Sequence, residues 1–133
     1  MTLSELRTQL TKLPKKLKVD NTYKYLWEVN RWDGPLEGIA LYKDEVCYFT
    51  LIRETGCGDN RKRWFALLKL TLAQMGEEFY WHTLFREYVG THNDYGQDGS
   101  IKSENTWHKF YDRYKQRTPR DYSNNEVIGW YRD

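Results

Sequence analysis

The stretch over residues 79–100, FYWHTLFREYVGTHNDYGQDGS, concentrates the side chains best suited to proton transfer or metal binding. It contains His82 and His92, and Glu78 lies directly before it. On a helix, Glu78, His82 and Arg86 are four residues apart and lie along one stripe. A histidine oriented by a carboxylate in apolar surroundings can act as a general base. The same pattern is typical of a structural histidine, and we favour that role because the spacing supplies no second catalytic group.

Metal binding by this stretch would require His82, His92 and Asp94 to converge. Zinc ligands usually occur at short fixed spacings such as HExxH or paired CxxC, whereas these two histidines are ten residues apart. A calcium loop aligned from Asp94 would lack its third ligand, at Gly96, and its acid at position twelve, at Asn105. We therefore expect no metal and no other cofactor.

Basic and aromatic residues interleave in two segments, as they do on surfaces that bind single-stranded nucleic acid. The candidate contacts are Arg61, Lys62 and Arg63 in RKRW, and Lys109, Arg113, Lys115 and Arg117 in KFYDRYKQRTPR. The formal net charge is only +2, because basic blocks alternate with acidic blocks along the chain. We expect these blocks to neutralise one another, so nucleic-acid binding is the alternative interpretation.

The segment RWDGPLEG joins two predicted strands and contains Trp32, Asp33 and Leu36. If Trp32 and Leu36 are exposed at this connection, they begin an apolar interaction surface. If the loop folds back, Trp32 covers the core instead. The aromatic content of 17% fits both interpretations, because rings provide core area as well as interface anchors.

The function class that these residues favour is a small, non-enzymatic binding or regulatory module for a protein partner. The chain has no GxSxG, P-loop or GxGxxG pattern. Cys57 lies near basic residues, but no base is positioned for it, and we interpret it as an incidental loop thiol. Two alternatives remain. One is a single-stranded nucleic-acid binder, and the other is a small hydrolase or nuclease centred on Glu78, His82, His92 and Asp94.

The strands that would support these side chains are predicted within residues 22–70. Four segments have strand patterns: YKYLWEVNRW, GIALYK, VCYFTLIRE and RWFALLKL. The first alternates, with Tyr25 and Trp27 facing one side and Glu28 facing the other. The last is apolar on both faces, as a covered strand would be. Their connections, including a tight turn around Asp44, are too short for parallel crossovers, which predicts an antiparallel meander.

Capping patterns predict where the helices begin. Thr2 with Glu5 starts an N-terminal helix over residues 3–13, and a linker follows over 14–21. Thr71 with Gln74 starts a second helix, which ends at Gly90.

A third helix is predicted after Ser103 and before Pro119, within a helical part over 71–118. The tail over 119–133 either forms an edge strand or packs over the sheet. The predicted fold is therefore one compact α+β domain over 1–133. It has an N-terminal helix, an antiparallel four-stranded meander sheet and two helices packed on one face of the sheet.

Glu5 and Arg7 interrupt the apolar residues at the N-terminus, which argues against a signal peptide. No apolar run approaches the roughly eighteen residues of a membrane span. We expect a cytoplasmic protein with reduced thiols and no membrane partner. The oligomeric state is not predicted.

Overall fold

The computed structural model describes residues 1–10, 22–32, 34–90 and 104–132. The chain forms two compact units: a sheet unit, Met1–Leu70 with Asp121–Asp133, and a helical unit, Thr71–Arg120. The predicted α+β class is confirmed, and the single-domain organisation stays a prediction. The elements in chain order are α1 (Leu3–Thr8), β1 (Lys24–Arg31), β2 (Pro35–Tyr42), β3 (Glu45–Thr55), β4 (Lys62–Lys69), α2 (Leu72–Tyr88), α3 (Glu104–Tyr114) and β5 (Val127–Arg132).

The sheet is an antiparallel meander in the order β1-β2-β3-β4-β5, so it has five strands and not four. The tail supplies β5, which pairs with the free edge of β4. Adjacent residues Leu67 and Leu68 of β4 are both fully buried, which confirms a strand covered on both faces. The β2–β3 hairpin turns at Lys43 and Asp44, with φ of 50° and 63°. Two successive positive φ angles are typical of a type I′ turn.

Both predicted capping boxes are confirmed. The backbone N–H of Glu5 donates to Thr2 Oγ1 at 3.1 Å, and the Thr2 N–H donates to Glu5 Oε1 at 3.2 Å. Thr71 and Gln74 exchange the equivalent bonds at 3.1 and 3.0 Å. At the other end of α2, Gly90 has φ of 110°, so its lack of a Cβ removes the strain of that conformation.

Two helices end earlier than predicted. α1 ends at Thr8, where the Thr8 hydroxyl donates to Glu5 O at 2.8 Å and competes with helix propagation. α3 ends at Tyr114, well before Pro119, and the backbone then makes tight i to i+3 turns. The Arg117 guanidinium donates to Tyr114 O at 2.9 Å and so satisfies a carbonyl at the helix end. The predicted cap Ser103 and the linker over 14–21 lie outside the described residues.

One face of the sheet is filled with aromatic rings, and the sheet curls around them. Tyr23, just before β1, stacks on Tyr131 of β5 with ring centroids 3.7 Å apart, although β1 and β5 are opposite edges of the sheet. Tyr131 stacks in turn on Phe65 at 4.8 Å, and Phe49 meets Phe65 edge-on. We call this side the concave face. Its rings are core, in agreement with a small domain closed by aromatic side chains.

On the opposite face, Tyr48 of β3 meets Tyr122 edge-on, with ring centroids 4.7 Å apart. α1 lies against the segment before β5, because the N–H groups of Leu3 and Ser4 donate to the carbonyls of residues 125 and 123. Leu3 and Leu6 are buried. α1 therefore packs on its own unit through its leucines.

The predicted alternation of β1 is wrong at Glu28, which is 8% exposed, whereas Tyr25 is 37% exposed. The pairing with β2 shifts register between Tyr25 and Trp27, so Leu26 is an extra residue in a bulge. The bulge changes which residues share a side. Tyr25 and Glu28, three residues apart, therefore both face the concave side.

In the helical unit, α2 and α3 pack through aromatic rings. Phe110 of α3 is buried and meets Trp81 and Phe85 of α2 edge-on, at 6.2 and 5.3 Å between centroids. Tyr114 stacks on Phe110 at 4.9 Å. The predicted packing of both helices on one face of the sheet stays a prediction.

Candidate functional site

Glu78, predicted to share one stripe of a helix with His82 and Arg86, is the most buried charged residue among the described residues of the helical unit. It is 3% exposed and lies on the inner face of α2. Its partner is Arg120: the Nε–H donates to Glu78 Oε1 at 2.6 Å, and Nη2 donates to Oε2 at 3.2 Å. Two charge-assisted hydrogen bonds from one guanidinium therefore fix the position of this carboxylate.

Tyr114 extends this ion pair into a network. Arg120 Nη1 donates to the Tyr114 hydroxyl at 2.7 Å. The Arg117 guanidinium lies over the Tyr114 ring, with its central carbon 3.6 Å from the centroid, in cation–π contact. The network ties α2 to the segment after α3. Sequence reasoning missed Arg120, because nothing in its local pattern points to an acid 42 residues earlier.

His82 is half-buried on α2, and Arg86 is exposed one turn later. Burial and, as a smaller cause, the positive charge of Arg86 together lower the pKa of His82 to about 4. His82 is therefore neutral at pH 7. His92 and Asp94 lie outside the described residues, so whether they join His82 stays untested.

The lowered pKa of His82 predicts a specific dependence of stability on pH. The unfolded chain takes up a proton near pH 6.5, whereas folded His82 does so near pH 4. Stability from this residue is complete above pH 6.5 and falls as the pH drops from there to 4. We expect the His82→Gln variant to lose less stability than wild type across this window, measured by urea unfolding at a series of pH values.

The size of this effect is reduced by solvent screening, because the ring is only half-buried. His108→Gln, which removes an exposed histidine from α3, is the matched control and should keep the wild-type profile. Parallel profiles for wild type and His82→Gln would contradict the assignment.

Among the described residues, no three His, Cys, Asp or Glu side chains are grouped in a way that could hold a metal ion. His92 and Asp94 are not among these residues, and the expected absence of a metal and of any other cofactor stays a prediction. Cys47 and Cys57 are free thiols. Burial, followed by the charge of Glu45, raises the pKa of the Cys47 thiol to about 12, whereas Cys57 is exposed.

The basic residues of RKRW are divided between the two sides of β4. Arg63 is buried on the concave face, and its Nε lies 3.3 Å from Glu54 Oε2. Arg61 Nε lies 3.7 Å from the other oxygen of the same carboxylate. Lys62 is exposed and, by strand alternation, faces the opposite side from Arg63. Glu54 therefore neutralises part of this basic segment.

The basic residues around α3 are also partly engaged. Lys109 lies 5.8 Å from the Tyr88 ring centroid, and Lys115 pairs with Asp112 at 3.4 Å on the exposed surface. Arg117 is held against Tyr114, and Arg113 is exposed. The structure thus places these four residues on or just after one helix.

Trp32 directly follows β1, in the β1–β2 connection, and is 74% exposed. Its backbone N–H donates to Gly34 O at 3.0 Å, and Gly34 has φ of 119°, which favours glycine. Leu36 is half-buried on β2, and Asp33 lies outside the described residues. Trp32 is thus presented outward at a tight connection.

A polar cluster on β1 was missed by sequence reasoning. The buried Glu28 carboxylate accepts from Arg31 Nη1 at 3.3 and 3.4 Å. Burial, then the Glu28 charge, raises the pKa of Tyr25 to about 12. The cluster depends on the bulge in β1, for which the sequence has no visible signal.

No protein-family model, curated protein or solved structure matches the chain. Within the described ranges, no helix is both long enough and apolar enough to cross a membrane.

Proposed function

We propose that the protein is a small, non-enzymatic binding module that engages a protein partner through the connection that contains Trp32 and Gly34. We call this connection the Trp32 turn. The observation that carries this proposal is the 74% exposure of Trp32 at a connection closed by its own backbone hydrogen bond. Tryptophan is among the residues most enriched at the energetic centres of protein interfaces. A large ring held outward by a short turn loses little conformational entropy when a partner covers it.

The edge strand that leads into Trp32 supports the same function. β1 is an edge strand, and its residues Tyr25 and Leu26 are 37% and 36% exposed. Arg31, directly before Trp32, is exposed and would lie at the rim of such an interface. Apolar groups at the centre with charge at the rim are the usual composition of an interface.

The environment of Glu78 supports a binding protein over the hydrolase or nuclease alternative. Arg120 donates to both carboxylate oxygens of Glu78, which is 3% exposed, and this is the arrangement of a buried structural ion pair. His82 has the pKa of a neutral, half-buried histidine. Both features are those of groups that stabilise the fold.

Trp32→Ala should weaken partner binding strongly with little effect on stability. An exposed side chain contributes little to folding, so the free energy of unfolding should change by less than about 0.5 kcal/mol. An anchor tryptophan contributes about 2 kcal/mol or more to binding, which is a loss of affinity of about 30-fold or more. The partner is first identified by capture from the native cell extract with the wild-type chain as bait. It is then purified and titrated by calorimetry.

The matched control is Leu72→Ala, which removes an apolar side chain that is 83% exposed at the start of α2. This variant should bind the purified partner as wild type does. Equal affinity of wild type and Trp32→Ala for every captured protein would contradict the proposal.

The proposal includes a reducing, cytoplasmic location. Its support is that the buried Cys47 and the exposed Cys57 are both free thiols. Fluorescence microscopy of a tagged chain in its native cell tests this location directly.

A further inference from the structure

A row of three residues crosses β3, β4 and β5 on the face opposite the concave one. Trp64 of β4 pairs with Arg53 of β3 on one side and with Arg132 of β5 on the other. Side chains of directly paired residues lie on the same face of a sheet, about 5 Å apart at Cβ. Trp64 is therefore flanked by an arginine on each side.

Lys62 adds a third cation to this row. It lies two residues before Trp64 on the same strand, so both side chains face the same way. Its own partner on β3 is Thr55, so no acidic residue occupies a paired position beside it. We call Arg53, Lys62, Trp64 and Arg132 the Trp64 row.

The cations of the Trp64 row are not neutralised by any acid in the part of the chain that the structure describes. Arg53 uses one nitrogen, Nη1, to donate to Leu10 O at 3.2 Å, which leaves its other N–H groups available. Lys62 and Arg132 are exposed, and Trp64 is half-buried. Glu54, which directly follows Arg53, pairs with Arg61 and Arg63 toward the concave side.

This geometry has the chemistry of a nucleotide-binding surface. An indole provides a face on which a base can stack, and each stacked base typically contributes about 1–3 kcal/mol of affinity. Arg53 and Arg132 lie on strands about 10 Å apart across Trp64, from a strand spacing of about 4.8 Å. They can therefore contact the phosphates on either side of a base on Trp64. An acidic peptide would be attracted by the same charges but would not need the indole between them.

We propose that the Trp64 row binds single-stranded nucleic acid, with a base on Trp64 and phosphates on Arg53, Lys62 and Arg132. This site is separate in its residues from the Trp32 turn and does not rest on the protein-partner proposal. It also changes which residues of RKRW are candidate nucleic-acid contacts. Lys62 and Trp64 belong to the site, whereas Arg61 and Arg63 face the other side.

The test is fluorescence anisotropy of labelled oligothymidylate titrated with the whole chain at about 50 mM and about 200 mM salt. The double variant Lys62→Gln/Arg132→Gln should lower affinity about 10-fold at the lower salt. It should also reduce the slope of log affinity against log salt by about 1.4, because each neutralised phosphate of a single strand contributes roughly 0.7 to that slope. Trp64→Leu should lower affinity about 10-fold with an unchanged salt slope.

Lys69→Gln is the matched control, because Lys69 is an exposed lysine at the far end of the same strand. It should change affinity less than twofold. Because Trp64→Leu removes a half-buried side chain, the melting temperature of this variant is measured together with its affinity. The double variant changes exposed residues only and keeps the test valid if Trp64→Leu does not fold.

Three outcomes overturn the proposal: no binding of oligothymidylate at the lower salt, equal losses for Lys69→Gln and the double variant, or equal affinity for a duplex. A duplex keeps its bases stacked internally, so it cannot use Trp64. Polyglutamate serves as the competing polyanion. If it displaces the oligonucleotide at equal charge concentration, the row attracts acidic polymers in general and the nucleic-acid assignment is wrong.

Discussion

Replacing Arg120 by Met should lower the free energy of unfolding by about 3–5 kcal/mol, measured by urea denaturation at pH 7. Glu78 is 3% exposed and receives two hydrogen bonds from Arg120. Without the guanidinium, the carboxylate is left buried without its cation, and Tyr114 loses the donor to its hydroxyl. The large effect comes from this uncompensated charge more than from the net strength of the ion pair.

The double variant Glu78→Leu/Arg120→Met separates these two contributions. It removes both charges of this pair, so it should be more stable than Arg120→Met alone. Lys115→Met is the matched control, because its pair with Asp112 is exposed and should contribute less than about 1 kcal/mol. If Arg120→Met and Lys115→Met have equal effects, Glu78 is not a buried, paired charge.

The parts of the fold that sequence predicted correctly are those set by neighbouring residues. Thr2 and Thr71 cap their helices because each supplies an oxygen to a residue three places later. The meander follows from connections too short for a crossover, and the β2–β3 turn lies at the predicted Asp44. These signals do not depend on which distant segment packs nearby.

The features that sequence did not predict depend on long-range pairing. The bulge at Leu26 is defined by the partner strand, and it buries Glu28 against the predicted alternation. Arg120 reaches Glu78 only because α2 and α3 pack together. The fifth strand forms because a segment beyond the helical unit returns to β4.

The candidate site shows the same division between local and distant information. His82 is half-buried, and the structural role inferred from its neighbours on the helix stays a prediction. In RKRW, the alternation of a strand already separates Lys62 and Trp64 from Arg61 and Arg63. The placement of Trp64 between Arg53 and Arg132 required the register of two further strands.

Gly38 on β2 is the position where one methyl group should be most damaging to the sheet. A Cβ there would lie 2.1 Å from the carbonyl oxygen of Trp27, 2.7 Å from Cε1 of Phe49 and 2.8 Å from Cα of Glu28. Two of these atoms belong to the backbone of β1, which cannot rotate away as a side chain can. β1 would have to separate from β2, or Phe49 would have to leave its place among the concave-face rings.

We therefore expect Gly38→Ala to lower the free energy of unfolding by about 3 kcal/mol or more, at the upper end of overpacking effects. Gly76→Ala is the matched control, since a Cβ at this exposed helical position meets nothing within 4 Å. There the added methyl should raise the free energy of unfolding by about 0.5–1 kcal/mol. Glycine is a poor helix former, and it increases the conformational entropy of the unfolded chain. The same Gly→Ala change is thus expected to lower the free energy of unfolding at residue 38 and to raise it at residue 76. Urea unfolding of both variants under identical conditions measures the two changes. A Gly38→Ala variant as stable as wild type would show that β1 does not approach β2 this closely at the glycine.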